Sequence, residues 1–182
     1  MANPNRSAGN KTRLVTVCAV LAALGVVLLY LGSFIEVLDL SVALLASLVI
    51  VALVIELGGV YPWMTYAVTS LLALLLLPNK FPAIVYACFM GFYPILKERI
   101  ERLRWRVARL VIKLVTFNAS VILMWLLGQL LLGELALGVH IAVALVLLNG
   151  LFLFYDYALS VLITAYLRVW RKRLRIYRFF EK

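Results

Sequence analysis

Apolar residues do not alternate with polar ones along this chain. They run in long blocks separated by short clusters of glycine, proline and charge. Six blocks, at 14–33, 40–57, 60–77, 82–96, 110–132 and 139–167, reach or approach the ~20 residues a helix needs to cross a hydrocarbon core. The pattern predicts an all-α integral membrane bundle of six transmembrane helices over residues 11–167. Residues 1–10 are polar and lack periodicity, which predicts a disordered cytosolic tail. The first block exceeds the roughly 7–15 residues of a signal-peptide core, and further blocks follow it, so it reads as a retained helix.

Composition agrees with the pattern. Of 182 residues, 66% are hydrophobic and 14% charged, whereas a soluble domain carries roughly a quarter charged residues. The net charge of +10 does not point to nucleic acid, because that reading needs a solvated basic face beside a soluble core. It sets orientation instead. All but one of the 18 basic residues precede the first block, lie in 97–113, or follow the sixth block. These places share one side if the spans alternate, which puts both termini in the cytosol. Only Lys80 falls opposite, where it acts either as an interfacial anchor or as a lure for an anionic solute.

From Lys97 the helical pattern continues, with Glu98 facing Arg102 and with Leu103, Val107 and Leu110 on one face. Segment 97–113 is therefore expected to be a basic amphipathic helix at the cytosolic interface. Residues 168–182 repeat the device, with Leu167, Trp170, Leu174 and Tyr177 along one face. The partners implied are the lipid bilayer and its anionic headgroups, at about 1 kcal/mol per cation, or an acidic protein surface.

Punctuation is densest between Glu56 and Lys97. Gly58-Gly59 followed by Tyr61-Pro62 predicts a tight cytosolic hairpin, since proline is tolerated in a first helical turn. Pro78-Asn79-Lys80-Phe81-Pro82 predicts a short outer turn. Pro94 interrupts the fourth block, which is then short, kinked or extended beyond the bilayer. Short or broken membrane helices are a pointer to a binding site. Glu56, at a helix C-terminus, opposes the macrodipole and calls for a cation, expected among Arg99 to Arg109.

Asp156 is the most costly polar residue. At its expected depth it must pair, face water or be protonated, which makes it a candidate site residue by default. Its expected partners are Tyr155, Tyr157, Asn149 or a group on a neighbouring helix. His140 is the single histidine and has no second metal ligand at suitable spacing. Cys18 and Cys88 differ in expected depth and read as apolar fillers. No catalytic constellation is evident, so neither an enzyme nor a bound cofactor or metal is expected.

Ala19, Ala22, Ala23 and Gly25 bring small residues onto one side of the first helix, a pattern that serves internal packing or a docking face for another subunit. Three features together resemble the substrate-binding S components of energy-coupling factor (ECF) transporters over residues 11–97. They are the first-helix series Lys11, Leu14, Ala19 and Ala23, the Gly58-Gly59-x-x-Pro62 turn, and the Thr65, Thr69 and Ser70 of the third helix. The resemblance implies a multi-pass protein of a bacterial-type cell membrane that takes up a micronutrient. It implies that Ala19 and Ala23 face a transmembrane coupling subunit driven by two ATPases. It also implies a solute pocket in the outer halves of the later helices, with Asn79, Tyr86 and Asn149 as contributors beside Asp156. The rival reading is a non-transporting polytopic scaffold that docks cytosolic or envelope-synthesis partners through its basic segments.

Overall fold

The computed structural model describes residues 4–34, 38–132 and 141–170, with side chains described for 12–34, 38–129 and 145–168. Among the described residues the protein is helical and contains no strand. Its helices are α1 (Pro4–Gly32), α2 (Asp39–Glu56), α3 (Tyr61–Leu76), α4 (Phe81–Val85), α5 (Tyr93–Glu101), α6 (Arg106–Leu132) and α7 (Ile141–Ala165), with π-helical turns at Tyr86–Met90 and Tyr166–Trp170. The chain forms two compact units that meet in sequence at Arg99 and Ile100.

Among the described residues, four stretches are long and apolar enough to cross a membrane: Thr12–Gly32, Asp39–Glu56, Arg106–Gln129 and Leu145–Arg168. The third expected span is the 16-residue helix α3, about 24 Å long at 1.5 Å per residue. The fourth is broken. Pro94 has no N–H to give to the preceding turn, and the chain leaves the helix at Gly91 and Phe92 before restarting as α5. The α1 helix begins at Pro4, inside the segment expected as a cytosolic tail. Proline suits a first turn, and once the apolar run has nucleated a helix, each further turn adds little cost.

In the first unit α1 lies against α2 and α3. Its inward residues are Cys18, Ala22, Gly25, Val26, Leu29 and Gly32. A Cβ at Gly25 would stand 3.2 Å from the Thr69 methyl, and one at Gly32 would overlap the Val42 side chain. Small residues let these backbones approach.

Gly58 and Gly59 adopt φ of 58° and 62°, the left-handed region that glycine enters without strain. They reverse the chain between α2 and Tyr61-Pro62, as expected. At the far end of α3, Lys80 Nζ donates to the carbonyls of Leu74 at 2.9 Å and Leu77 at 2.7 Å. A cation on carbonyls that have lost their helical partners offsets the negative end of the dipole. Lys80 is thus turned back onto the end of the preceding helix.

The basic segment differs from expectation. Helix α5 stops at Glu101, and α6 starts at Arg106. A continuous helix would stack Arg99, Arg102, Arg106 and Arg109 at three- and four-residue spacings, where like charges repel; the chain is instead non-helical at 102–105. Lys97 and Lys113, which the charge pattern placed among interfacial cations, are both buried.

In the second unit α6 and α7 are antiparallel. Lys113 pairs with Asp156, Phe117 stacks on Phe152 and Asn118 meets Asn149, so α6 rises as α7 descends. Glu36, Glu134, His140 and the tail from Arg171 lie outside the described residues, and with them the expected amphipathic tail face.

Candidate functional site

The costliest groups in the second unit form one seam along α6 and α7. Lys113 Nζ donates to Asp156 Oδ2 at 2.7 Å, and Glu101 Oε1 stands 3.4 Å away on its other side. Side-chain exposure is 11% for Lys113, 16% for Asp156 and 42% for Glu101. The inner carboxylate is therefore enclosed and the outer one solvated. This gives Lys113 a short ionic contact inward and a longer one outward. Ser160 donates to the Asp156 carbonyl at 2.9 Å, one turn on.

One turn further along α6, the Phe117 and Phe152 rings stack at 4.5 Å with 10° between their planes. Beyond them Asn118 and Asn149 exchange amide hydrogen bonds of 3.0 and 3.2 Å. Each also donates at 2.8 Å to the carbonyl four residues earlier, Leu114 or Leu145. Both N–H groups of each amide are thereby used, which is what an amide between apolar helices requires.

Asp156 and Asn149 share the seam but not one network. Tyr157, an expected partner of Asp156, is 69% exposed, and Asn149 is engaged by Asn118. Lys113, on the neighbouring helix α6, is the partner at 2.7 Å, as the neighbouring-helix alternative expects. Its role was hidden by its position at the end of a run of loop cations. A signal was nonetheless present: in an antiparallel hairpin, partners lie equally far from the turn, and Lys113 and Asp156 are equidistant from residues 134 and 135, as are Phe117 and Phe152.

The first unit holds the other expected contacts. Asn79 Nδ2 donates to Asp39 Oδ2 at 3.1 Å, and Asn79 Oδ1 accepts from the Phe81 N–H at 3.0 Å. One side chain thus ties the first turn of α2 to the start of α4. Tyr86 is fully buried where α4 becomes a π turn, whose Gly91 N–H reaches the Tyr86 carbonyl at 2.7 Å. Tyr66 Oη donates to the Ala87 carbonyl within that turn at 2.6 Å. A Cβ at Gly91 would fall within 3 Å of the Tyr66 and Tyr86 rings, so the aromatic packing depends on glycine there. Thr69 Oγ1 and Ser70 Oγ are buried on α3 without a hydrogen bond of good geometry among the described residues.

Arg99 lies 5.7 Å over the Trp63 ring, a cation–π contact on α3. Ala19 and Ala23 are exposed, one position round from the inward Cys18, Ala22 and Gly25. The small residues of α1 therefore divide into two faces, one consumed by α2 and α3 and one open.

No family model, no curated protein and no solved structure matches the chain.

Proposed function

We propose that this protein is the membrane-embedded substrate-binding subunit of an ECF-type micronutrient uptake transporter in a bacterial-type cell membrane. On this reading α3 and the broken α4–α5 run also cross the bilayer, giving six spans with both ends in the cytosol. The observation that supports it is the open alanine face of α1. Ala19 and Ala23 are exposed while their small neighbours Ala22, Gly25 and Gly32 are buried, so the residues expected to meet a coupling subunit are left available for one. A solute contacting Asp156, Asn149 or Asn79 has to displace Lys113, Asn118 or Asp39 respectively. Tyr86, being fully buried, would need the π turn to open.

Those internal pairings favour a second reading. In a non-transporting scaffold the polar residues hold helices together, and partners dock on the exposed arginines instead. Gentle extraction followed by affinity capture of the full-length protein separates the two. A transmembrane coupling subunit and two ATPases lost on Ala19→Trp with Ala23→Trp support the transporter. Envelope-synthesis or cytoskeletal proteins retained by that variant support the scaffold.

A further inference from the structure

Between Glu101 and α6 the sequence alternates strictly: Arg102, Leu103, Arg104, Trp105, Arg106, Val107. All six are exposed. Trp105 is exposed to 75%, Val107 to 74% and Leu103 to 43%. Exposed tryptophan is uncommon on a surface that meets only water, but tryptophan is enriched where hydrocarbon gives way to headgroups. Trp105 immediately precedes Arg106–Gln129, a stretch long and apolar enough to cross a membrane. Apolar side chains between guanidinium groups suit a surface that is apolar a few ångströms below a layer of phosphate.

The end of α7 adds a second element. Because α6 and α7 run antiparallel, Arg168 belongs to the same end of the hairpin as Arg106. An open groove of about 380 Å³ lies along one face of this stretch, lined by Ser160, Val161, Thr164, Ala165 and Arg168. Arg168 is the charged residue of its lining, and almost all of the lining surface is apolar. A cation beside an open apolar surface suits a molecule with an anionic head and a hydrocarbon tail.

We infer that this end of the second unit is a binding site for an anionic phospholipid. The phosphodiester is held by Arg104, Arg106 and Arg168, Trp105 and Leu103 insert beside it, and an acyl chain lies along the Ser160–Arg168 groove. Guanidinium groups suit phosphate because they donate in a planar fork, and the N-terminus of α6 adds partial positive charge at the same level. An acidic protein would satisfy the arginines but leave Trp105 and the groove unexplained. The inference is independent of whether the protein transports a solute.

The test uses the full-length protein in a nonionic detergent and native mass spectrometry with phosphatidylglycerol or phosphatidylcholine of equal chain length. Wild type is expected to retain phosphatidylglycerol at least fivefold better. Arg104→Gln with Arg106→Gln should weaken that retention by roughly tenfold or more, since each cation near an anionic lipid surface is worth about fivefold. Equal retention of the two lipids, or an unchanged double variant, overturns the inference. So does displacement of phosphatidylglycerol by soluble polyglutamate at matched charge, which assigns the surface to a protein, or binding of glycerol phosphate as tight as that of the lipid. Should the double variant elute as an aggregate, a second measurement decides. Brominated phosphatidylglycerol must quench wild-type tryptophan fluorescence more than that of Trp105→Phe, and equal quenching overturns the assignment.

Discussion

Lys113 and Asp156, 43 positions apart in sequence, meet at 2.7 Å across the α6–α7 hairpin. Neither is at home in hydrocarbon alone, and each makes the other tolerable. Such a pair is costly to break and cheap to replace, because removing one partner strands the other charge. Asp156→Leu or Lys113→Met is expected to lower stability by about 3–5 kcal/mol. The double variant Lys113→Met with Asp156→Leu should recover most of that loss. Thermal unfolding of the four proteins in one detergent measures it, and a double variant no more stable than the worse single shows that the contact is not what the two residues do.

The two faces of α1 make opposite predictions. Gly32→Val forces a side chain into Val42, and Gly25→Leu drives one into Thr69. Each should cost about 1–3 kcal/mol or more. Ala19→Leu and Ala23→Leu, on the open face, should stay within about 0.5 kcal/mol of wild type. Unfolding midpoints of the isolated protein provide the comparison; equal damage from both pairs would place Ala19 and Ala23 in internal packing.

Backbone conformation at the α2–α3 turn gives a third. Gly58→Ala and Gly59→Ala each place a Cβ on a left-handed residue and should destabilise by about 1–2 kcal/mol. Gly150→Ala is the control. A Cβ there meets nothing within 4 Å, and alanine within a helix is favoured over glycine by roughly 0.5–1 kcal/mol, so this variant should be slightly more stable. Chemical denaturation of the three variants side by side reads both signs.

The helical class and the four long apolar stretches were legible in the sequence because hydrophobic block length is a one-dimensional property. The Gly58-Gly59 reversal was legible for a similar reason, since the residues that permit a left-handed turn are few. The helix break at 102–105 was not. The Glu98 and Arg102 spacing fits a continuous helix, and the competing repulsion among Arg99, Arg102, Arg106 and Arg109 has to be summed over several turns to be seen. Lys113 was misplaced because counting charges by loop assigns each cation to water, whereas its surroundings are set by a helix far along the chain. Asp156 was identified as the residue that must be compensated, but its partner depends on hairpin register. Asn79 and Tyr86 carried no local sign that one would tie two helix ends together and the other pack fully into a π turn.

The closed seam also bears on how the protein is made. A charged side chain within a lone helix raises the cost of entering a bilayer, by up to about 2.5–3.5 kcal/mol at the helix centre, and the polypeptide emerges with Lys113 long before Asp156. Insertion machinery that released α6 sideways into lipid by itself would leave an ammonium group stranded until the next helix arrived. Delivered together as a preformed hairpin, the two charges and the two amides enter already matched. The favoured route is therefore to hold α6 at the insertion machinery until α7 has been synthesised.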